Sequence, residues 1–160
     1  MIITDHHVHT EFSGDCSTPI GTILNRAVEL GLKEVMFTDH VDYEYPSKYI
    51  SFDVDFEKYI KVLDKFRAQY TELDILMGVE VGYQPNLNER INQLLNSYEF
   101  DFVICSVHAW NGVEFDKGGL FTGRSQEEGY RAYFDCLKYT IENFDNFDVI
   151  GHLDFIVRYG

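Results

Sequence analysis

Along the chain, short apolar runs alternate with longer stretches in which apolar residues recur every three or four positions. Ile2 to Thr4 is the first short run. Thr18-Pro19 then reads as a helix start with proline in the first turn. Ile20, Ile23, Leu24, Ala27, Val28 and Leu30 keep helical spacing up to a stop at Gly31. "KEVMFTDH" (33–40) predicts a buried strand running into polar residues. A second helix is predicted over roughly 55–70, with Phe56, Tyr59, Ile60, Leu63 and Phe66 on one face. "DILMGVEVGY" (74–83) predicts the next strand. A third helix is expected to open at Asn86, with Glu89 as capping-box partner and Leu87, Ile91, Leu94 and Leu95 as its apolar stripe. "DFVICSVHAW" (101–110) predicts a fourth strand, "SQEE" (125–128) a capping box opening a helix to about Phe144, and "FDVIGHLDF" (147–155) a fifth strand.

Strand and helix alternate throughout, which predicts an α/β fold with a parallel sheet and right-handed crossovers. The 160 residues fit one domain, 1–160, and a hydrophobic fraction of 45% with 16% aromatics suffices for a sizeable core. The aromatic stripes have helical spacing and read as packing rather than cofactor contacts. No apolar run approaches the roughly 18 residues of a membrane span, and no signal-peptide layout is present. Cys16, Cys105 and Cys136 are odd in number and unpatterned, which predicts a reducing, cytoplasmic setting. The net charge of −14 disfavours nucleic acid and anionic membranes as partners, and it favours cations.

The histidines change the picture. His6, His7, His9, His40, His108 and His152 all fall in or just after the C-terminal ends of predicted strands, as do Asp39 and Glu80. In strand-then-helix barrels, active sites are built at that end. His7 and His9 are two apart, so on an extended strand they face the same way and form a natural first pair for a divalent metal. His6 then faces the other way, as packing or support. Asp5 and Asp39 are each read as either an acceptor orienting a histidine or an ordinary strand-end cap. Glu80 sits inside "LMGVEVGY", where an unpaired buried carboxylate is expensive and a metal would compensate it. Its two oxygens suit a bridge between ions.

"DHHVHT", "FTDH", "GVEVGY", "SVHAW" and "GHLDFIVRYG", in that order and spacing, resemble the polymerase and histidinol phosphatase (PHP) superfamily, and within it the histidinol-phosphatase branch. The resemblance runs from residue 2 to residue 160. It implies a distorted (β/α)7 barrel, of which about the first five strand–helix units are here, and a site for up to three divalent ions (Zn, Mn or Fe). One ion would be held by His7, His9 and Glu80, a second by Glu80, His108 and His152, and a third by Asp15 and His40. A further Asp-x-His that the family carries after a seventh strand is not in this sequence, so the chain is expected to be the front part of a longer barrel. Unpaired barrel edges would then favour self-association.

The implied activity is hydrolysis of a small phosphorylated substrate, L-histidinol phosphate to L-histidinol and phosphate in histidine biosynthesis. Asp39 and Arg158 are the candidate catalytic residues. Arg158 in "FIVRYG" suits a phosphate-binding guanidinium, with a surface salt bridge as the bland reading. Trp110 and Asn111 are expected on the mouth loop, shaping the pocket. The rivals are a PHP phosphoesterase for nucleotides or other phosphate esters, an amidohydrolase, and a non-catalytic metal-binding fragment. An amidohydrolase would need a carboxylated lysine or its equivalent in the middle of the chain, where this sequence offers Glu80.

Overall fold

The computed structural model describes residues 2–160. The chain runs through β1 (Thr4–Val8), α1 (Ile20–Leu30), β2 (Glu34–Phe37), β3 (His40–Val41), α2 (Phe56–Gln69), β4 (Asp74–Gly82) and α3 (Asn88–Ser97). It continues through β5 (Phe102–Ser106), β6 (Ala109–Trp110), β7 (Val113–Glu114), α4 (Gln126–Asn143) and β8 (Val149–Ile150). Strands β1, β2, β4, β5 and β8 lie side by side in that order and are all parallel, with the two-residue β3 also paired to β4. Sequence order equal to spatial order is the singly wound pattern of a barrel, and the sheet is a curled half-barrel. A small antiparallel hairpin, β6–β7, stands apart from it.

Side-chain alternation divides the sheet into two faces. Ile75, Met77, Val79 and Val81 of β4 join Val35, Phe37 and Cys105 in a core with Leu24 of α1, Tyr59 and Leu63 of α2, and Ile91 of α3. Burying each such leucine or isoleucine contributes roughly 1.5–3 kcal/mol. The alternate positions, Gly78, Glu80 and Gly82, face the barrel interior. Gly82 is required there: a Cβ at this position would lie 1.3 Å from Asp42 Oδ1. A second cluster under α4 gathers Val107, Phe115, Leu120, Tyr133, Leu137 and Ile156.

Several element boundaries differ from the sequence expectation. The first strand lies on Thr4–Val8 rather than on the apolar run before it, because the backbone of 4–8 is what pairs with β2. A bulge between Asp5 and Val8 re-phases that strand. The stretch 33–40 breaks into β2 and β3. Thr18 makes no cap; Pro19 precedes α1, and Glu11 Oε2 accepts from Ile20 N at 2.7 Å instead. The expected capping box at Asn86 does not form. Pro85–Leu87 is a 3₁₀ turn, α3 begins at Asn88, and Glu89 accepts weakly from Gln93 at 3.4 Å. The Ser125–Glu128 box at α4 is complete. The predicted fifth strand shrinks to Val149–Ile150, after which the chain turns into a 3₁₀ segment, Phe155–Arg158.

Candidate metal centre

The strands deliver their polar ends to one place. His7, His9, Asp15, His40, Asp42, Glu80, His108 and His152 all line a cavity of about 390 Å³. β1 supplies His7 and, just beyond it, His9; the following loop supplies Asp15. His40 begins β3, Glu80 lies within β4, and His108 and His152 follow β5 and β8.

Glu80 is at the centre and fully buried. Its two oxygens face different histidines. Oε1 accepts from Ser106 Oγ at 2.6 Å and lies 3.0 Å from His152 Nε2 and 3.3 Å from His108 Nε2. Oε2 lies 3.2 Å from His9 Nε2, 3.5 Å from His7 Nε2 and 3.6 Å from His40 Nε2. Oε2 and His9 Nε2 are both buried, yet neither makes a well-formed hydrogen bond. Burying such atoms unpaired costs about 1–3 kcal/mol each, so the site is built for something between them. A divalent cation fits, since every atom facing the gap is an imidazole nitrogen or a carboxylate oxygen.

Three ligand groups come together: His7–His9–Glu80, His9–Asp15–His40 and His40–Glu80–His108. His108 and His152 also bring their Nε2 atoms within 3.1 Å of each other beside Glu80. Compared with the sets that the resemblance implied, His9 stands by Asp15 and His40 as well (Nδ1 to Asp15 Oδ2, 3.4 Å), and His40 reaches toward Glu80.

The far nitrogens of these rings are held from behind. His7 Nδ1 lies 2.8 Å from Thr38 Oγ1. Asp42 backs His108, with Oδ1 at 2.9 Å from Nδ1, while its Oδ2 faces His40 Nδ1 at 3.1 Å without an aligned hydrogen bond. Such acceptors fix the tautomer, leaving Nε2 free to bind. Sequence reasoning missed Asp42. The signal was "DHVD", in which His40 and Asp42 are two apart and share a strand face.

Electrostatics follow from this packing. Burial opposes charge on these groups, but at Glu80, Asp42, His9 and His108 the pairs outweigh it. The neighbouring histidines hold Glu80 well below the usual carboxylate range, and His108 and His40 hold Asp42 down at about 2. His9, between Asp15 and Glu80, is lifted to about 10 despite burial, and His108, between Asp42 and Glu80, likewise to about 10. His7 is lowered, mainly by burial. His9 and His108 are thus the rings whose surroundings favour a proton, and a cation between them would compete with it.

Other expected residues fall elsewhere. Asp39 is buried but lies outside the cavity and touches no histidine. It accepts from Thr10 N at 2.5 Å and Thr10 Oγ1 at 2.9 Å, tying down the chain just after His9. Asp5 accepts only the backbone N of His7, at 3.4 Å. His6 pairs with Glu34, away from the cluster. Arg158 lines the cavity mouth with Phe155 and Tyr159. Trp110 and Asn111 do not line it. The Trp110 ring packs on Tyr83 and Tyr139, and Asn111 takes the tight β6–β7 turn at φ 50°. Tyr45, Ile50, Phe52 and Asp116 complete the wall.

The PHP domain family matches residues 5–160. The chain belongs to the PHP domain family. Among curated PHP relatives, the histidinol-phosphatase of Lactococcus lactis is 32% identical over 158 residues, covering 98% of this chain and 58% of the relative. The probable histidinol-phosphatase of Clostridium acetobutylicum is 30% identical over 161 residues, covering 99% and 60%. A crystal structure of the histidinol phosphate phosphatase of Lactococcus lactis, complexed with zinc, L-histidinol and phosphate, superposes with a TM-score of 0.94 at 31% identity, covering 98% of this chain and 60% of that one. This PHP chain therefore spans about 60% of the length of the relatives it matches. Among the described residues, no helix is long and apolar enough to cross a membrane.

Proposed function

We propose that this PHP chain carries the metal-binding half of a phosphate monoesterase site whose substrate is L-histidinol phosphate, cleaved to L-histidinol and phosphate. The observation that carries the reading is the division of Glu80 between His7/His9 on one oxygen and His108/His152 on the other. A carboxylate so placed can bridge two cations a few ångströms apart, the separation that phosphoryl transfer uses. The Lactococcus lactis protein of similar fold binds zinc, L-histidinol and phosphate, and zinc, manganese or iron would suit these nitrogen and oxygen donors.

His7, His9, Asp15, His40, Glu80, His108 and His152 would hold the ions. Bound divalent ions would supply charge for the phosphate oxygens and an acidified water as nucleophile. The chain's own groups do the rest. Asp42 and Thr38 keep the imidazoles turned inward. Arg158, at the mouth, offers a planar fork for the phosphate. Asp39 acts at one remove, through Thr10, by fixing the loop that follows His9. Three free cysteines, two of them buried, suit a cytoplasmic protein. The exposed edge of β1 is a surface through which copies of the chain would associate.

Reconstituting the protein with zinc, manganese or iron and assaying phosphate release tests the proposal. Metal-dependent release from L-histidinol phosphate, lost on chelation, is the expected result. Stoichiometric metal binding with no phosphate release from any monoester would make this chain a metal-binding module instead.

A further inference from the structure

Among the described residues, Asp116 is the one charged group in the cavity wall that the phosphatase reading leaves without a task. It follows the β6–β7 hairpin and lines the same cavity as the histidine cluster and Arg158. Its Oδ1 is buried and takes no hydrogen bond, and the adjacent Lys117 is committed to Glu114. The loop carrying it leans on the segment that carries Arg158: a Cβ on Gly118 would sit 3.6 Å from the Tyr159 carbonyl oxygen. A carboxylate in this position repels a phosphate dianion, so for a substrate that is anionic only, it is a liability.

The surroundings favour a cation at this spot. Burial and the nearby Asp116 carboxylate keep the Tyr45 phenol protonated far above its ordinary range, so it stands as a neutral donor and aromatic face. The Tyr45 and Phe52 rings meet edge to face at 5.0 Å on one side of the cavity, and the Phe155 and Tyr159 rings lie 5.3 Å apart on the other. Aromatic faces and a carboxylate whose Oδ1 takes no hydrogen bond together are a recognition surface for an ammonium group.

Resting on the monoesterase reading above, we propose that Asp116 selects the substrate: it binds the ammonium group of a phosphate monoester whose alcohol portion carries a primary amine. The phosphate then lies toward the histidine cluster and Arg158, and the amine toward Asp116. A zwitterion fits both ends, whereas a plain phosphate ester leaves the buried Asp116 Oδ1 without a partner, the kind of penalty that separates substrates by more than apolar contacts do.

Equilibrium binding to the metal-loaded chain tests this without requiring turnover. The probes are L-histidinol and its des-amino analogue, imidazolepropanol. The wild type is expected to prefer L-histidinol by about tenfold or more, the scale of one charge-assisted contact, and Asp116→Asn is expected to erase the preference. Asp116→Ser serves the same purpose if the first variant is poorly folded by circular dichroism. Equal binding of the two probes by the wild type, or a preference retained in a folded variant, would overturn the proposal. Phosphate release measured on the same preparation reports separately on the monoesterase reading. A chain that prefers the amine but releases no phosphate upholds Asp116 and rejects the activity.

Discussion

Asp42 Oδ1 lies 2.9 Å from His108 Nδ1, and this contact leaves the ring's other nitrogen facing Glu80 and His152. Its second oxygen faces His40 Nδ1 at 3.1 Å without an aligned hydrogen bond. Room for it exists only because residue 82 lacks a side chain. A residue that would bind no metal thus sets the aim of one that would, and flanks a second.

Replacing Asp42 should therefore cost metal rather than fold. Asp42→Asn is expected to lower metal affinity about 10–100-fold, the usual penalty for losing such an orienting group. Gly82→Ala should do similar harm by pushing Asp42 aside. Metal content after dialysis against a buffered chelator is the measurement. A full complement of metal in both variants would mean that Asp42 does not orient the rings.

Glu80→Gln is expected to harm metal content and phosphate release more than Asp15→Asn. Glu80 faces both histidine pairs from complete burial, whereas Asp15 is half-exposed and faces His9 and His40 alone. Losing the Glu80 charge weakens two ions at once. Equal losses in the two variants, by metal analysis and turnover, would contradict the bridging role.

Metal uptake should release protons. His9 and His108 are each lifted to about 10 in the metal-free site, so at neutral pH both carry a proton that a metal must displace. The competition weakens as pH rises, so apparent affinity should increase between pH 6 and pH 9, about tenfold per unit for each proton released. Calorimetric titration in two buffers of different ionisation enthalpy counts those protons. A pH-independent affinity with no proton release is the contrary outcome.

Asp39→Ala should act on stability. It removes a buried carboxylate that accepts both the backbone N and the hydroxyl of Thr10. Leaving those donors unpaired costs about 1–3 kcal/mol, read as a lower denaturant midpoint. Metal affinity should fall less than in Asp42→Asn, because the Asp39 carboxylate accepts from Thr10 and not from an imidazole.

The residues of the histidine cluster were legible because their positions follow from local rules. His7 and His9 share a face by strand periodicity, and Glu80 stands out as a carboxylate in an apolar strand. Asp42 was only half legible: "DHVD" puts it on the His40 face, but its hydrogen bond is to His108, 66 residues away along the chain. Asp116 and Tyr45 lie on irregular segments between strands and helices, where no period says which side chain turns inward. The fifth strand was overextended for a related reason. Its apolar content suggests continuation, but Gly151 packs so close to Ser106 that a Cβ there would lie 2.0 Å from Ser106 Oγ, and the chain bends on to place His152 beside Glu80.

The last prediction concerns the sheet edge. Among the described residues β1 pairs with β2 alone, so its other side presents unpaired backbone groups. Beside it lies an apolar groove lined by Val8, Ile23, Ala27, Leu30 and Val35, among other residues. Ile2 and Ile3 are 81% and 50% exposed, and Leu30 is 54% exposed. An open strand edge flanked by apolar surface pairs readily with another chain. Sedimentation should therefore show the isolated chain associating as its concentration rises. Ile3→Lys with Leu30→Lys should reduce that association, because a lysine on the edge must be desolvated to be paired. Both positions are remote from the histidine cluster, so metal content should not change. A wild-type chain that stays monomeric at every concentration tested would show that the edge is protected, and association undiminished in the double variant would place the contact elsewhere.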